Sequence, residues 1–122
     1  MTSTTENVRF LFKGVEVEKK TRYYIEKHLS SLDNKFMEDV TLTEVEIDID
    51  KKGKFRAEIM IKTPRNLFRA ENTTESIEAS VDLCIKELQE QITHQKDRVR
   101  TIRKRGALSL KKKTVVAKEA RF

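Results

Sequence analysis

The stretch VTLTEVEIDIDKKGKFRAEIMIK, residues 40–62, limits the possible folds most strongly, because apolar and charged residues alternate on both sides of its one glycine. Before Gly53, the apolar side chains of Val45, Ile47 and Ile49 occupy one face and carboxylates occupy the other. After Gly53 the alternation resumes, with mostly basic residues between the apolar ones. Such alternation is typical of antiparallel strands with one buried face. The segment therefore predicts a β-hairpin whose cationic and acidic positions neutralise each other across the strands.

The segment before this hairpin follows a helical period instead. Thr21, Ile25, Leu29 and Leu32 fall on one stripe of a helix that begins after Val17 and spans about four turns. A helix with one apolar stripe buries that stripe against another element. The stripe therefore predicts an amphipathic helix that packs on the hairpin's apolar face.

The segment after the hairpin predicts a short strand followed by a longer helix. In LFRAE, Phe68 and Ala70 alternate as inward positions of a strand. Asn72 and Glu75 in ENTTES have the spacing of a capping box at the start of a helix. The helical pattern holds for about four turns and fades near Arg100. Its apolar stripe consists of Ile77, Val81, Cys84, Ile85, Leu88 and Ile92.

With a first strand in VRFLFKG, the elements follow the order β-α-β-β-β-α. Two helices with one apolar stripe each can cover one face of a four-stranded sheet. The predicted fold is therefore an α+β two-layer sandwich, with both helices packed on one face of a four-stranded sheet. Residues 1–7 are predicted to be a flexible N-terminus, residues 8–100 the folded domain, and residues 101–122 a flexible basic tail.

The positive charge of the chain is concentrated at one end. The net charge is +6, whereas residues 96–122 alone carry 11 basic and 2 acidic residues, a net charge of +9. A mobile cationic segment can neutralise phosphates along a grooved surface, which favours nucleic acid as a partner. The alternative is a solubility tail or a linker. The basic residues predicted to contact RNA here are Arg98, Arg100, Arg103, Lys104, Arg105, Lys111, Lys112 and Lys113.

The first helix predicts a second cationic surface. At 100° per residue, Lys19, Lys20, Tyr23 and Lys27 project to the side opposite Ile25. The lysines can neutralise RNA phosphates, and the Tyr23 ring can stack on an exposed base. An ordinary solvated helix face is the alternative interpretation.

The sequence gives little support for catalytic or metal chemistry. Cys84 is the single cysteine and lies on the apolar stripe, which predicts a core residue and excludes an intrachain disulfide. His28 borders the other stripe as a packed residue at the core edge, and two separate histidines do not predict a metal site. The carboxylates of EVEIDID face solvent, which is typical of a solubilising strand face. We therefore expect no enzymatic activity, no metal and no cofactor.

The start of the chain has no basic segment followed by an apolar one, and no apolar run approaches the roughly 18 residues of a membrane span. We therefore expect a soluble cytoplasmic protein that does not bind membranes.

Two blocks of the sequence resemble a known family. RYYIEKHLSSLDNKF, residues 22–36, contains an Arg-x-Tyr followed by a Leu-rich stripe and an aromatic residue. LFRAENTTESIEASVDLCIKELQEQITHQKDR, residues 67–98, combines a strand ending in Arg-Ala-Glu with a short turn and a helix that ends in Lys-Asp-Arg. These blocks resemble the ribosome hibernation promoting factors, also called ribosome-associated inhibitor A or protein Y. The resemblance covers about residues 8–98, and the family has the same order of elements.

The resemblance implies a factor that docks on ribosomal RNA in the decoding channel of the small ribosomal subunit. It would exclude messenger and transfer RNA there and silence translation in starved or stationary cells. Contacts with neighbouring ribosomal proteins stay open, and we expect a monomer off the ribosome. The RNA contacts implied by the resemblance are Lys19, Lys20, Arg22 and Lys27 in the first helix and Lys86, His94, Lys96 and Arg98 in the second.

The second helix departs from the family pattern. Glu87, Glu90 and Thr93 stand where relatives usually have Lys or Arg, and Glu78 stands where an aromatic residue is usual. We therefore expect this helix to bind RNA less strongly before its last turn. Two other functions stay open: a general RNA- or DNA-binding module with a basic tail, since the same electrostatics serve any polyanion, and an interaction domain linked to a partner domain.

Overall fold

Four strands and two helices follow one another along the chain in the predicted order. A computed structural model describes the backbone of residues 4–118 and the side chains of residues 4–99. The elements are β1 (Val8–Lys13), α1 (Lys19–Ser30), β2 (Leu42–Ile49), β3 (Phe55–Lys62), β4 (Leu67–Thr74) and α2 (Ile77–Lys118). The predicted α+β sandwich is confirmed.

The strands lie in one sheet in the order β1-β2-β3-β4. β2 pairs antiparallel with β3, as the predicted hairpin requires, and β3 pairs antiparallel with β4, whereas β1 pairs parallel with β2. The parallel pair arises because α1 carries the chain back to the starting end of β1, as in other crossover connections. The register aligns Phe10, Val45, Ile59 and Ala70 in one row across the sheet.

The predicted alternation in β2 is confirmed except at its end. Thr43, Val45 and Ile47 are buried and the acidic residues between them are half-buried. Ile49 was predicted to be buried, but it is 41% exposed. It occupies the last position of β2, next to the hairpin turn. In that turn Gly53 has a φ of +83°, a value that favours glycine.

Both helices contribute their apolar stripes to one core with the sheet. α1 buries Ile25 and Leu29, and Leu32 is buried just beyond its end. The strands contribute alternate residues of one face, so the helices and the sheet form two layers. The α2 residues in this core are Val81, Cys84, Ile85, Leu88 and Ile92.

The start of α2 differs from the predicted capping box. Asn72 belongs to β4, which continues to Thr74 because Thr74 pairs with Phe55 of β3. The helix begins later, and the hydroxyl oxygen of Ser76 accepts a hydrogen bond of 3.1 Å from the backbone N–H of Ala79. Ser76 therefore takes the capping role that the sequence pattern assigned to Asn72.

The end of α2 also differs from the prediction, because the helix continues past Arg100 to Lys118. Lysine, arginine, alanine and leucine fill most of this segment and all favour helices, while Gly106 costs only about 1 kcal/mol relative to alanine. Residues 101–118, predicted to belong to a flexible basic tail, therefore have a helical backbone. Internal contacts divide the chain into two units, Met1–Ile92 and Thr93–Phe122.

The described part of the N-terminal segment is anchored, although residues 1–7 were predicted to be flexible. Thr4 is buried, and its hydroxyl donates a hydrogen bond of 2.7 Å to the carbonyl of Leu29. The Thr4 backbone N–H donates to the carboxylate of Asp33 at 2.7 Å. The Leu29 carbonyl, which also accepts from the backbone N–H of Leu32 at 3.0 Å, thus has a second donor, and the N-terminal segment is tied to the end of α1.

Candidate nucleic-acid interface

The outer side of α1 presents cations that have no acidic partner in the described part of the chain. Because Ile25 and Leu29 fix the rotation of the helix against the sheet, Lys19, Lys20 and Lys27 are exposed. None of these lysines forms an ion pair with a carboxylate of residues 4–99. We call Lys19, Lys20, Tyr23 and Lys27 the cationic face. Its lysines are available for phosphate groups.

Tyr23 gives the cationic face an aromatic centre. The residue is 69% exposed, the largest exposed fraction among the large hydrophobic side chains described. An exposed aromatic ring flanked by lysines can stack on an unpaired base while the ammonium groups contact the flanking phosphates. The structure therefore places Lys19, Lys20, Tyr23 and Lys27, all predicted RNA contacts, on one exposed face.

Arg22, also predicted to contact RNA, lies beside this face in a different environment. Its guanidinium carbon lies 4.8 Å from the centre of the Phe10 ring on β1. Phe10 is half-buried and its ring centre lies 5.7 Å from that of Phe12. The sequence pattern predicted a strand that contains Phe10 but gave no signal for its contact with Arg22.

A polar cluster joins α1 to α2. The Tyr24 hydroxyl donates to the Asp82 carboxylate at 2.8 Å, and this bond raises the pKa of Tyr24 above its ordinary value. The His28 ring stacks on Tyr24 with centres 4.1 Å apart, and its Nε2 lies 3.8 Å from Asp82. His28 Nδ1 lies 3.0 Å from the Tyr24 carbonyl. His28 is therefore the packed core-edge residue that was predicted, and the cluster links the two helices.

The exposed side of α2 up to Ile92 is mainly acidic. Lys86, a predicted RNA contact, is exposed, but Asp82 and Glu90 stand one turn before and after it. Glu78 and Glu87 are exposed on the same segment. These acidic residues are the ones behind the expectation that this part of the helix binds RNA weakly, which stays a prediction.

The remaining predicted contacts lie in the unit Thr93–Phe122. His94 and Arg98 are exposed, and Lys96 is half-buried. The structure gives their surroundings only up to residue 99. The predicted contacts outside the described side chains are Arg100, Arg103, Lys104, Arg105, Lys111, Lys112 and Lys113.

The arginines at the centre of the sheet's outer face are paired with carboxylates. The Arg56 guanidinium on β3 donates to Asp48 at 3.1 Å, to Glu58 at 2.6 Å and to Glu71 at 2.8 Å. The hydrogen bond with Glu71 is the main cause that raises the pKa of Arg56 and lowers that of Glu71. Lys13 pairs with Glu46 at 3.0 Å in the same way. The predicted neutralisation across the strands is confirmed, and it leaves this face with few cations for RNA.

Cys84 is a core residue, as predicted. Cys84 is buried, its thiol donates to the carbonyl of Ala57 at 3.3 Å, and burial raises the pKa of that thiol to about 11. Residues 4–99 contain no group of three or more His, Cys, Asp or Glu that could hold a metal ion. Among the same residues, no helix is both long and apolar enough to span a membrane.

Comparison with known proteins decides the family. The family described as sigma 54 modulation protein / S30EA ribosomal protein matches residues 8–100. This chain belongs to that family. The family is one of ribosome-associated factors and not of enzymes.

Two solved structures resemble this S30EA-family chain. The N-terminal domain of Thermus thermophilus Protein Y is 28% identical, with a TM-score of 0.64, and the match covers 72% of this chain and 97% of that one. A ribosomal subunit interface protein from Coxiella burnetii is 19% identical, with a TM-score of 0.64, and the match covers 75% and 98%. At that identity the second likeness shows the fold alone.

Proposed function

We propose that this chain is a cytoplasmic ribosome hibernation factor. It binds ribosomal RNA in the decoding channel of the small subunit, blocks messenger and transfer RNA there, and silences translation during starvation or stationary phase. Membership of the S30EA ribosomal protein family and the likeness to the Protein Y domain support an association with the ribosome. The mechanism is steric exclusion by a folded body, which requires no chemical step.

The observation that carries the proposal is the difference between the two layers. On α1, exposed lysines without acidic partners among residues 4–99 surround the exposed Tyr23 ring. On the sheet, Arg56 and its neighbours are already neutralised by carboxylates. A lysine without an ion pair can bind a phosphate and release its counterions without losing another contact. A paired arginine must first break its ion pair with a carboxylate, and this cost lowers its net contribution to RNA binding. We therefore expect the α1 side to face the RNA.

The basic segment after residue 96 provides a second contact in this proposal. Arg98 to Lys113 carries eight basic residues and no acidic one, enough to follow several phosphates. Because α2 is acidic up to Ile92, we expect the RNA contacts to come from the cationic face and from this segment, with little from the helix between them.

The test is co-sedimentation of the purified full chain with small ribosomal subunits at physiological salt, with messenger and transfer RNA as competitors. We expect binding that messenger and transfer RNA weaken. The triple variant Lys19→Glu, Lys20→Glu, Lys27→Glu should bind much more weakly and remain folded. A matched control reverses three exposed hairpin lysines, Lys51, Lys52 and Lys54, which gives the same net charge. Equal binding by the two triple variants would remove the cationic face from the interface.

The basic segment itself favours one other function, a general polyanion-binding module. A free RNA duplex distinguishes the two functions. If the full chain binds the duplex as tightly as it binds small subunits, the general module is the better description and hibernation by channel occupancy is wrong.

A further inference from the structure

Arg22 differs from the lysines of the cationic face because its guanidinium rests on an aromatic ring. The Phe10 ring supports it at 4.8 Å, within the range of a cation–π contact. Within residues 4–99, Arg22 forms no ion pair with a carboxylate, and its side chain is exposed. One face of the guanidinium is therefore covered by the ring, while its N–H edge has no carboxylate partner among residues 4–99 and can donate to an external acceptor.

The ring is itself held firmly. Phe10 lies on β1 at the position that pairs with the buried Val45, and it packs against the hydrophobic core. The sheet thus fixes the ring, and the ring restricts the guanidinium on α1. By contrast, Lys19 and Lys20 have no ring contact in the described part of the chain.

From this geometry we propose that Phe10 is a positioning residue, which holds the Arg22 guanidinium as a pre-oriented fork for a phosphate group of the bound RNA. This inference rests on the proposed function. An arginine free in solution loses many rotamers on binding, and a stack formed in advance removes part of that cost. A planar guanidinium donates two parallel N–H bonds to one phosphate, which a lysine cannot do.

Two substitutions separate the fork from the charge. Arg22→Lys keeps the charge but removes the planar fork, and Phe10→Leu keeps Arg22 but removes the ring. From the strength of an exposed cation–π contact, we expect each to weaken binding of the full chain to purified small subunits by about two- to fivefold. The variant that carries both substitutions should have the same affinity as the single variant with the lower affinity, because both changes break the same contact.

Control variants test whether the effect comes from the ring and not from packing. Phe10→Tyr keeps the aromatic face and should bind like the wild type. Phe12→Leu removes the neighbouring ring, which also packs against the core, and should leave binding unchanged. NMR of the free protein gives an independent measurement, since the ring current should shift the Arg22 side-chain protons in the wild type and in Phe12→Leu but not in Phe10→Leu.

The outcomes are distinguishable from a failure of the proposed function. If Arg22→Lys or Phe10→Leu binds like the wild type, Phe10 has no positioning role. The same conclusion follows if Phe10→Leu and Phe12→Leu weaken binding equally. In both cases the lysine reversals can still abolish binding, so the proposed function would stand. If the wild type does not bind small subunits, the proposed function is wrong and this inference falls with it.

Discussion

Neutralising the three lysines of α1 is expected to reduce the salt dependence of ribosome binding. The variant Lys19→Gln, Lys20→Gln, Lys27→Gln changes exposed side chains that have no ion pair with residues 4–99. The substitutions therefore break no described contact, and the core under α1, with Ile25 and Leu29, stays unchanged. Any loss of binding then comes from the interface and not from unfolding.

The size of the effect follows from counterion release. Each phosphate contact contributes about 0.7 to 0.9 to the slope of log K against log salt, so three contacts contribute about 2 to 3. Between about 50 and 200 mM salt, the wild type should therefore lose about 20- to 40-fold more affinity than the variant. The difference is large because none of the three ammonium groups pairs with a carboxylate of residues 4–99 before binding.

The assay is equilibrium binding of a fluorescently labelled full chain to small subunits over a series of potassium chloride concentrations at fixed magnesium. The control variant carries glutamine at Lys51, Lys52 and Lys54, three exposed lysines of the β2–β3 hairpin. We expect its slope to equal that of the wild type. An unchanged slope in the α1 variant would refute the assignment of phosphate contacts to this helix.

Four further outcomes are expected. Tyr23→Ala should cost about 1 to 3 kcal/mol of binding free energy in the same assay, whereas Tyr23→Phe should bind normally; equal loss in both would exclude base stacking. Truncation after Lys96 should weaken binding and flatten its salt dependence, and an unchanged slope would identify the removed segment as a linker. Ile25→Ala should lower the free energy of unfolding in urea by about 2 to 5 kcal/mol, because the side chain is fully buried, and a loss below about 1 kcal/mol would contradict its place in the core. Burial raises the pKa of the Cys84 thiol from 9.0 to about 11, so the folded state keeps a proton that the unfolded state loses. The free energy of unfolding should therefore fall between pH 9 and 11 by more in the wild type than in Cys84→Ala, and parallel pH profiles would contradict the shift.

The sequence predicts the layers well because the hydrophobic period is a direct consequence of burial. The core contains the apolar residues of both alternating segments, such as Val45 and Ile59. It also contains the stripes of both helices, which include Ile25 and Leu88. The cationic face follows from the same period, since the stripe fixes which α1 residues point outward. The exposure of the α1 side chains could therefore be predicted from the sequence, while their contact with RNA stays a prediction.

Features that depend on contacts between distant segments were not readable. The sequence around Asn72 has the spacing of a helix cap, but pairing with β3 extends β4 through that position. Thr4 is anchored by a carbonyl that only the end of α1 supplies. The stack of Arg22 on Phe10 also joins two elements, and no local pattern encodes it.

The extent of α2 shows a different limit. Beyond Arg100 the apolar stripe disappears, and for that reason the sequence pattern predicted a flexible basic tail. Intrinsic propensity instead gives a helical backbone to Lys118, because the basic residues there are good helix formers. An absent stripe is therefore a signal about packing and not about the backbone conformation.

A cryo-EM map of the full chain bound to small ribosomal subunits tests the central claim most directly. The account predicts density for the outer side of α1 against ribosomal RNA in the decoding channel, with Tyr23 next to a base and Lys19, Lys20 and Lys27 next to phosphates. A map in which the outer sheet face around Arg56 lies on the RNA, with α1 exposed to solvent, would contradict it.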